Sequence, residues 1–309
     1  MKTMRVNADQ QRPVLMAAEL PAPDAADSEI LIRVHAAGVT PTELSWYPTT
    51  HAKDGSARTG AVPGHEFSGV IESLGKNVTS FTVGDAVYGM NDWFADGAMA
   101  EFCIAASGSI AKKPAKLSHL EAATVPIGAL TAWQGLQIRA NIQPGERLLI
   151  HGGAGAVGLF AVQLAHLRGA SVIATTSAAT MDFVRALGAD RVLDYAAQRF
   201  VDEIKDVDVV FDTVGGATRD RSWSVLKPGG RLVTIAADAE GTSEQRVKDA
   251  FLLVEANAGQ LAEIGRMLDA GTLKTFVKAV VPLQEAAASY SGKVKGQLAY
   301  GKTVVAVAP

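Results

Sequence analysis

Residues 146–176 read ERLLIHGGAGAVGLFAVQLAHLRGASVIATT, and this stretch decides the fold. It opens with the apolar run Arg147–Ile150, crosses a glycine-rich turn, and continues with apolar residues at helical spacing from Leu159 to Leu167. A second β-rich run, Ser171–Thr175, follows. Strand, glycine turn, helix and strand in this order predict a βαβ unit.

The turn itself fits the pattern GxGxxG, with Gly153, Gly155 and Gly158 at the glycine positions. In such a turn the first glycine allows the tight bend, the second lets a pyrophosphate approach the backbone, and the third lets the helix pack closely on the strand. The helix N-terminus adds free N–H groups and the positive end of its dipole. Because a strand precedes the motif and a helix follows it, we predict that the turn, including Ala156 and Val157, binds a dinucleotide.

The composition excludes several classes of protein. The 309 residues carry 29 basic and 32 acidic side chains with no basic block, which argues against a nucleic-acid or anionic-membrane partner. The single cysteine, Cys103, excludes an internal disulfide. No apolar run reaches the roughly 18 residues of a membrane helix, and no secretory signal pattern opens the chain. We therefore expect a cytoplasmic protein that does not associate with membranes.

The chain contains two kinds of sequence. Residues 1–120 hold short β-rich runs between Gly, Pro, Asp and Asn clusters, which predict a mostly antiparallel β domain with strands near 30–34, 67–71, 86–88 and 100–104. From residue 147 onward, β-rich runs alternate with helical stretches such as 180–187 and 219–226. This alternation predicts a doubly wound parallel sheet with strands at 147–151, 171–175, 191–194, 207–212 and 231–235.

The end of the chain is expected to return to the first domain. A helix at about residues 260–269 ends at Gly271, and the β-rich runs 276–281 and 303–307 follow it. The run 251–254 is a candidate for one more strand. The predicted fold is therefore α/β, with a discontinuous β domain at 1–120 and 256–309 and a dinucleotide-binding domain at 121–255.

Six short segments, in their joint order and spacing, resemble the medium-chain dehydrogenase/reductase superfamily, specifically its zinc-free quinone oxidoreductase (zeta-crystallin-like) branch. They are AAGV at 36–39, PGHEFSGVI at 63–71, VGDAVYG at 83–89, LTAW at 130–133, LGAD at 187–190 and FDTVGG at 211–216. The resemblance covers nearly the whole chain. It implies a GroES-like β domain joined to a Rossmann domain, and a homodimer.

The resemblance also raises the question of a catalytic zinc. In zinc-dependent relatives three positions supply the metal ligands, and here those positions hold Thr40, His65 and Ile127. A catalytic zinc takes three protein ligands and a water, so one histidine cannot hold it. We predict no zinc, and we interpret His65 and Glu66 as a retained structural pair.

Without a Lewis acid, the oxidation of an alcohol is disfavoured, because nothing evident stabilises an alkoxide. The chemistry that remains is reduction of an electrophilic acceptor, a quinone or an α,β-unsaturated carbonyl compound, by a bound nicotinamide. Relatives of this branch carry out such NADPH-dependent reductions. Two alternatives stay open: a non-catalytic NADPH-binding protein of structural or regulatory function, and a zinc-dependent alcohol dehydrogenase.

The cofactor is predicted to be NADP(H). An acidic residue about 20 positions after the glycine motif normally binds the ribose of NAD, but here Thr176 and Ser177 end the second strand and the next acid is Asp182. The resemblance adds Tyr195 as a phosphate contact, whereas Thr180 replaces the lysine that relatives carry. Arg185 or Lys302 could supply the missing charge, or could equally be surface residues.

Further cofactor contacts are implied residue by residue by the family layout. They are Thr40, Pro41 and Thr42 in the loop that approaches the nicotinamide, Thr131 on the helix after the β domain, Thr213 and Val214 after the fourth strand, Ile235 and Ala236 after the fifth, and Phe251 and Leu253 near the carboxamide. For the apolar members, core packing is the alternative. The run 251–254 could also pair across a dimer.

The acceptor site is predicted from aromatic residues. Trp46 and Tyr47 follow the nicotinamide loop and could stack on a flat acceptor, with the Tyr47 hydroxyl bonding its oxygen. Trp93, in the loop 91–94, could line the entrance. Tyr47 and Thr40 are the candidate catalytic residues. The alternative for the aromatic side chains is that they cap the β domain.

Overall fold

The computed structural model describes residues 1–7, 13–291, 294 and 296–308. The chain forms two compact units. The first, here called the β unit, comprises Met1–Ile127, Ala256–Leu298 and Lys302–Pro309. The second, called the α/β unit, comprises Gly128–Glu255 and Ala299–Gly301.

The strands and helices are numbered in the order in which they follow one another along the chain. The described strands are β1 (Lys2–Asn7), β2 (Val14–Glu19), β3 (Glu29–Gly38), β4 (Glu66–Leu74), β5 (Ala86–Met90), β6 (Phe102–Ala106), β7 (Ile110–Lys112), β8 (Arg147–His151), β9 (Ser171–Thr176), β10 (Arg191–Asp194), β11 (Val207–Asp212), β12 (Leu226–Thr234), β13 (Val277–Pro282) and β14 (Lys302–Ala306).

The described helices are short. They are α1 (Tyr47–Thr50), α2 (His119–Ala122), α3 (Pro126–Trp133), α4 (Gly158–Leu167), α5 (Met181–Ala186), α6 (Phe200–Glu203), α7 (Gly216–Ser222), α8 (Gln245–Ala250), α9 (Ala258–Ala270) and α10 (Ala286–Tyr290). Helix α3 continues as a π-helix over Gln134–Arg139. None of the helices in the described ranges is long and apolar enough to cross a membrane.

The β unit is organised around β3, which pairs with three other strands. Its alternate residues Ile30, Ile32 and Val34 are fully buried, as expected for a strand with one face in the core. β3 pairs antiparallel with β4, β6 and β14 in a sheet of order β13-β14-β3-β4-β5-β7. The last strand of the chain therefore completes the first sheet, which confirms the expected return of the C-terminal strands.

Two parts of the β unit were not predicted. β1 and β2 form a separate antiparallel pair, and β7 extends the main sheet beyond β5. The predicted helix at 260–269 is α9, which is capped by the Asn257 side chain and ends at Gly271 in the left-handed conformation (φ 75°). The buried Tyr88 hydroxyl donates to the carbonyl of Leu261 at 2.6 Å and so connects β5 to α9.

The α/β unit contains a fully parallel sheet of order β10-β9-β8-β11-β12. The strand order reverses at β8, and ligands of doubly wound sheets bind at the carboxyl ends of the strands beside such a reversal. The bounds of β8, β10 and β11 coincide with the predicted strands. β12 begins five residues earlier than predicted, because the turn expected at 227–230 lies inside it at an irregularity opposite Asp208.

The run 251–254 is not a regular strand. Phe251 forms an isolated parallel bridge with Thr234, and the N–H of Leu252 donates to the Thr234 carbonyl at 2.9 Å. The remaining residues of the run continue without ladder pairing in the described structure. The prediction of a sixth strand was therefore wrong beyond this single bridge.

Candidate functional site

The turn after β8 depends on a glycine that precedes the predicted motif. Gly152 adopts a left-handed conformation (φ 78°), and a Cβ there would lie 2.5 Å from Thr213 Oγ1. The tight bend had been assigned to Gly153. At Gly153 the constraint is packing instead, because a Cβ would lie 3.1 Å from the Ala174 side chain and 3.2 Å from Val184. The tight bend therefore lies at Gly152, one residue before the position that the motif predicts.

The rest of the turn delivers the chain to the start of α4. A Cβ on Gly158 would overlap the carbonyl oxygen of Gly152, so only glycine lets the helix begin this close to β8. Gly155 is exposed, and Ala156 and Val157 are half-buried. Among the described residues, no side chain caps the N-terminus of this ten-residue helix. An uncapped helix end behind an exposed glycine turn fits a phosphate group.

A cavity of about 450 Å³ opens beside this turn, entirely within the α/β unit. Its size is typical of a small-molecule site. The residues that line it are His151, Gly152, Thr175, Tyr195, Gln198, Arg199, Phe200, Val201, Val214, Thr218 and Arg221. Of the predicted contacts, Tyr195 and Val214 lie here. His151, Arg199 and Arg221 were missed, although His151 directly precedes the glycine turn at the carboxyl end of its strand.

A buried carboxylate shapes the loop after β11. Asp212 accepts hydrogen bonds from the N–H groups of Val214 and Gly215, both at 3.1 Å, and from the Thr234 hydroxyl at 2.8 Å. The Thr213 hydroxyl donates to the His151 carbonyl at 2.7 Å. These bonds connect the ends of three neighbouring strands and leave Val214 exposed beside the cavity.

Hydroxyl groups end β9, as the sequence indicates. The Thr176 and Thr180 hydroxyls are 2.6 Å apart, and Ser177 Oγ lies 3.1 Å from Thr180 Oγ1. Strand register also places Asp194, at the end of β10, next to Thr176. Sequence reasoning missed this acid, because it considered only the residues just after β9 and not the end of the neighbouring strand β10. Asp194 Oδ1 accepts the N–H of Ala196 at 3.0 Å, which turns the chain after Tyr195.

The Lys302 ammonium pairs with a carboxylate of the protein and not with the predicted cofactor phosphate. Its ammonium is buried in the β unit and forms an ion pair with Glu66, whose other carboxylate oxygen accepts the N–H of Ile127 at 3.0 Å. Burial lowers the pKa of Lys302 to about 7, against the opposing effect of Glu43. An ammonium committed in this way is not offered to a cofactor phosphate, so the predicted phosphate contact by Lys302 is corrected.

Two arginines of the α/β unit, Arg199 and Arg221, line the cavity, whereas the predicted Arg185 is not among its lining residues. Arg185 pairs with Asp182 at 2.6 Å on the surface. Arg221 donates from Nε to the Ala217 carbonyl at 2.9 Å and lies over the Phe200 ring. The Arg199 side chain is 73% exposed and meets Asp202 only at 3.5 Å. Of the two arginines in the cavity wall, Arg199 thus makes the weaker contacts with the described protein groups.

His151 forms the floor of the cavity and is almost completely buried. Nδ1 lies 3.1 Å from Thr175 Oγ1, Nε2 lies 2.9 Å from Ser222 Oγ, and the Phe200 ring contacts the imidazole edge-on. Burial lowers the pKa of His151 from 6.5 to about 4; Asp212 opposes this shift and Arg221 adds to it. The imidazole is therefore neutral near pH 7.

In the β unit, His65 pairs with Glu43 and not with Glu66. Glu43 is buried, contacts Nδ1 of His65, and accepts the N–H groups of Gly64 and His65 at 2.7 and 3.1 Å. The Tyr290 hydroxyl donates to its second oxygen at 3.1 Å. Burial and the neighbouring Glu43 carboxylate raise the pKa of Tyr290 well above its usual value. The predicted His65–Glu66 pair is thus replaced by two separate pairs, His65–Glu43 and Glu66–Lys302.

The residues around His65 do not fit a catalytic zinc. A carboxylate behind a histidine is the arrangement that metal-bound histidines use, but Nε2 of His65 faces the carbonyl of Ala95 at 3.3 Å. The two other ligand positions hold Thr40 and the apolar Ile127. Across residues 1–7, 13–291, 294 and 296–308, no three His, Cys, Asp or Glu side chains form a group that could hold a metal.

Of the predicted acceptor residues, Trp46 and Trp93 lie together beside His65, whereas Tyr47 contacts His51. The rings of Trp46 and Trp93 meet edge-on at 5.2 Å, and Trp93 lies 5.5 Å from His65. Tyr47 is 52% exposed and stacks on His51 at 4.4 Å. Ion pairs between Lys53 and Asp92 and between Arg58 and Asp96 join the loops that carry these rings.

The remaining predicted contacts differ in accessibility. Thr40 is half-buried and precedes the exposed Pro41 and Thr42, which open a 3-10 turn. Thr131 and Ala236 are buried, Ile235 and Phe251 are half-buried, and Leu253 is exposed. The core-packing alternative therefore has most support at Ala236.

Comparison with known proteins adds a family to this geometry. Two family models match: the alcohol dehydrogenase GroES-like domain at residues 26–115 and the zinc-binding dehydrogenase at residues 187–305. The NAD(P)H oxidoreductase RTN4IP1, mitochondrial, of Mus musculus is 30% identical over 91% of this chain and 82% of its own length. The 2-methylene-furan-3-one reductase of Solanum lycopersicum is 32% identical, over 82% and 65% respectively. A solved quinone oxidoreductase from Coxiella burnetii has a TM-score of 0.88 at 30% identity and covers 100% of this chain and 99% of its own.

The depressed pKa of His151 predicts a pH dependence of stability. Between pH 6.5 and 4 the unfolded chain binds a proton that the folded chain does not, so the stabilisation is complete above pH 6.5 and is lost as the pH falls toward 4. We expect His151→Phe to reduce the loss of unfolding free energy between pH 7 and 4 by about 3 kcal/mol in urea titrations. Tyr195→Phe, at an exposed site, is the control, and equal pH dependence in His151→Phe and wild type would contradict the prediction.

Proposed function

The chain belongs to the medium-chain dehydrogenase/reductase superfamily, and from that premise we propose that it is an NADPH-dependent oxidoreductase that reduces a quinone or an α,β-unsaturated carbonyl compound without zinc. The observation that carries the proposal is the uncapped start of α4 behind the Gly152–Gly158 turn, beside a cavity of about 450 Å³. The relatives' names point to the same chemistry, since they include a quinone oxidoreductase and an enone reductase.

The α/β unit supplies the cofactor site. When bound, the nicotinamide provides the hydride for the reduction. The N–H of Gly155 donates to the Gly152 carbonyl at 3.0 Å, so the N–H groups offered to a pyrophosphate are those of Ala156 and Val157 beside the exposed Gly155. Thr213 and Val214 hold the neighbouring loop at the strand ends. Tyr195 and Arg199 line the cavity wall that follows β10, and the N–H of Tyr195 donates to the carbonyl of Thr176 at 3.1 Å. An arginine near this strand end suits a 2′-phosphate, which supports NADPH over NADH.

The β unit supplies the acceptor site. Trp46 and Trp93 form an aromatic corner against His65, and a flat conjugated acceptor packs favourably on such rings. The exposed Tyr47 hydroxyl is a donor for an oxygen that gains negative charge during reduction. The ligand set around His65 argues for chemistry without a metal, because Thr40 and Ile127 offer no second or third zinc ligand.

Homodimer formation and a cytoplasmic location stay predictions. The Mus musculus relative is named as mitochondrial, so the names of the relatives do not support a cytoplasmic location.

The direct test is an acceptor panel. Protein dialysed against EDTA is mixed with NADPH and with quinones, enones or enals, and absorbance at 340 nm is followed. We expect oxidation of NADPH that depends on at least one acceptor and survives metal removal. Tight NADPH binding without acceptor-dependent oxidation would indicate a binding protein. Activity that disappears after EDTA and returns with zinc would indicate a zinc enzyme.

Cofactor preference provides a second prediction. NADPH is expected to bind more tightly than NADH, and Arg199→Ala is expected to weaken NADPH binding about tenfold while changing NADH binding less than about twofold, because only NADPH carries the 2′-phosphate. Calorimetric titration measures both constants. Arg191→Ala removes an exposed arginine outside the described cavity lining and is the matched control. Equal dissociation constants for the two cofactors in the wild type would remove the NADPH assignment.

Tyr47 provides a third prediction. Tyr47→Phe keeps the ring and removes the hydroxyl, so kcat is expected to fall about tenfold with little change in NADPH affinity. Tyr47→Leu removes the ring as well and is expected to raise KM for the acceptor further. An unchanged kcat for Tyr47→Phe with every active acceptor would exclude Tyr47 from the reaction.

A further inference from the structure

The buried imidazole of His151 joins three elements that line the nucleotide cavity. It belongs to the end of β8, its Nδ1 faces Thr175 at the end of β9, and its Nε2 faces Ser222 at the end of α7. The ring is 1% exposed, so water cannot replace either partner. Each of these hydrogen bonds therefore has to be satisfied within the protein.

The direction of these hydrogen bonds follows from the number of protons available. The Ser222 hydroxyl donates its only proton to the carbonyl of Thr218 at 2.7 Å, so toward His151 it can only accept. Nε2 must then carry the proton of the neutral ring, and Nδ1 is left as an acceptor. The Thr175 hydroxyl donates to Nδ1 and accepts, over 3.4 Å, the N–H of Gly152.

We propose that His151 is a positioning residue of the nucleotide site, where its Nε2–H tautomer orients the Thr175 hydroxyl and through it the glycine turn at Gly152. The inference rests on the proposed function only in that a nicotinamide dinucleotide occupies this cavity. The opposite tautomer would reverse the Thr175 hydroxyl, because two donors cannot face each other. The Thr175 oxygen would then accept from both Nδ1–H and the N–H of Gly152, and its own proton would have to turn away from the ring, which reorients the hydroxyl at the start of the turn.

A substitution at Ser222 tests the positioning role of His151. It is fully buried and does not belong to the residues described as lining the cavity, so a bound dinucleotide does not touch it. Ser222→Ala removes the hydroxyl that accepts the Nε2–H of His151. The interaction that favours the Nε2–H tautomer over the Nδ1–H tautomer is then lost. An effect of this substitution on cofactor affinity has to be transmitted, and the two routes are His151 and the backbone of Thr218.

The experiment is a double-mutant cycle measured with NADP⁺ by calorimetry on the full chain. We expect Ser222→Ala to raise the dissociation constant about three- to tenfold, the range for loss of one neutral hydrogen bond. In a His151→Phe background the same substitution is expected to have no further effect, since the transmitting ring is absent. An unchanged dissociation constant in Ser222→Ala, or an equal effect in both backgrounds, would overturn the proposal.

A measurement on the unmodified protein covers the case in which a variant does not fold. Nitrogen-15 spectra of histidine-labelled wild type distinguish the two neutral tautomers, and we expect the Nε2–H form for His151 with and without NADP⁺. The Nδ1–H form would overturn the positioning role while NADP⁺ binding, and with it the proposed function, stands. Absence of NADP⁺ binding in the wild type would instead overturn the proposed function and the positioning role together.

Discussion

The nucleotide site depends on the close approach of Gly158 to the carbonyl oxygen of Gly152. A Cβ on either glycine would clash, at Gly158 with that carbonyl and at Gly152 with the Thr213 hydroxyl. Because neither side chain exists, the turn 152–157 brings the start of α4 close to the end of β8, and no side chain of the described residues caps the helix. The Thr213 hydroxyl, bonded to the His151 carbonyl, then draws the loop after β11 to the same edge. This one close contact thus brings the helix end, the turn and the neighbouring loop to the same edge of the sheet.

The need to compensate buried charges explains the contacts of His65, Glu43 and Glu66 in the β unit. A buried ion costs several kcal/mol unless a partner and hydrogen bonds compensate it. Glu43 is compensated by His65, by two backbone N–H groups and by Tyr290, and Glu66 by Lys302 and the N–H of Ile127. His65, which stands at a metal-ligand position of zinc-dependent relatives, and the adjacent Glu66 are here both paired with protein groups. This arrangement leaves the aromatic corner of Trp46 and Trp93 as the feature beside His65 that suits an acceptor.

Local sequence patterns correctly predicted the strands that depend mainly on residues close in sequence. β8, β10 and β11 match because apolar runs bounded by glycine turns define strands without knowledge of their neighbours. The spacing of Ser118 and Glu121 predicts a capping box, and the structure has both of its hydrogen bonds at the start of α2. The failures depend on long-range pairing: Lys302 and Glu66 are 236 residues apart, and Asp194 meets Thr176 only through strand register. The β1–β2 pair escaped prediction because its runs alternate weakly, with Val14 and Met16 exposed.

Hydrogen–deuterium exchange with and without NADP⁺ tests most directly whether the turn after β8 is the nucleotide site. We predict that saturating NADP⁺ protects the amides of residues 152–159 and of 195–201, which form the turn and the cavity wall, and leaves the β1–β2 pair unchanged. Protection confined to the β unit, or no protection of residues 152–159 at saturation, would contradict the assignment of this edge of the sheet to the cofactor.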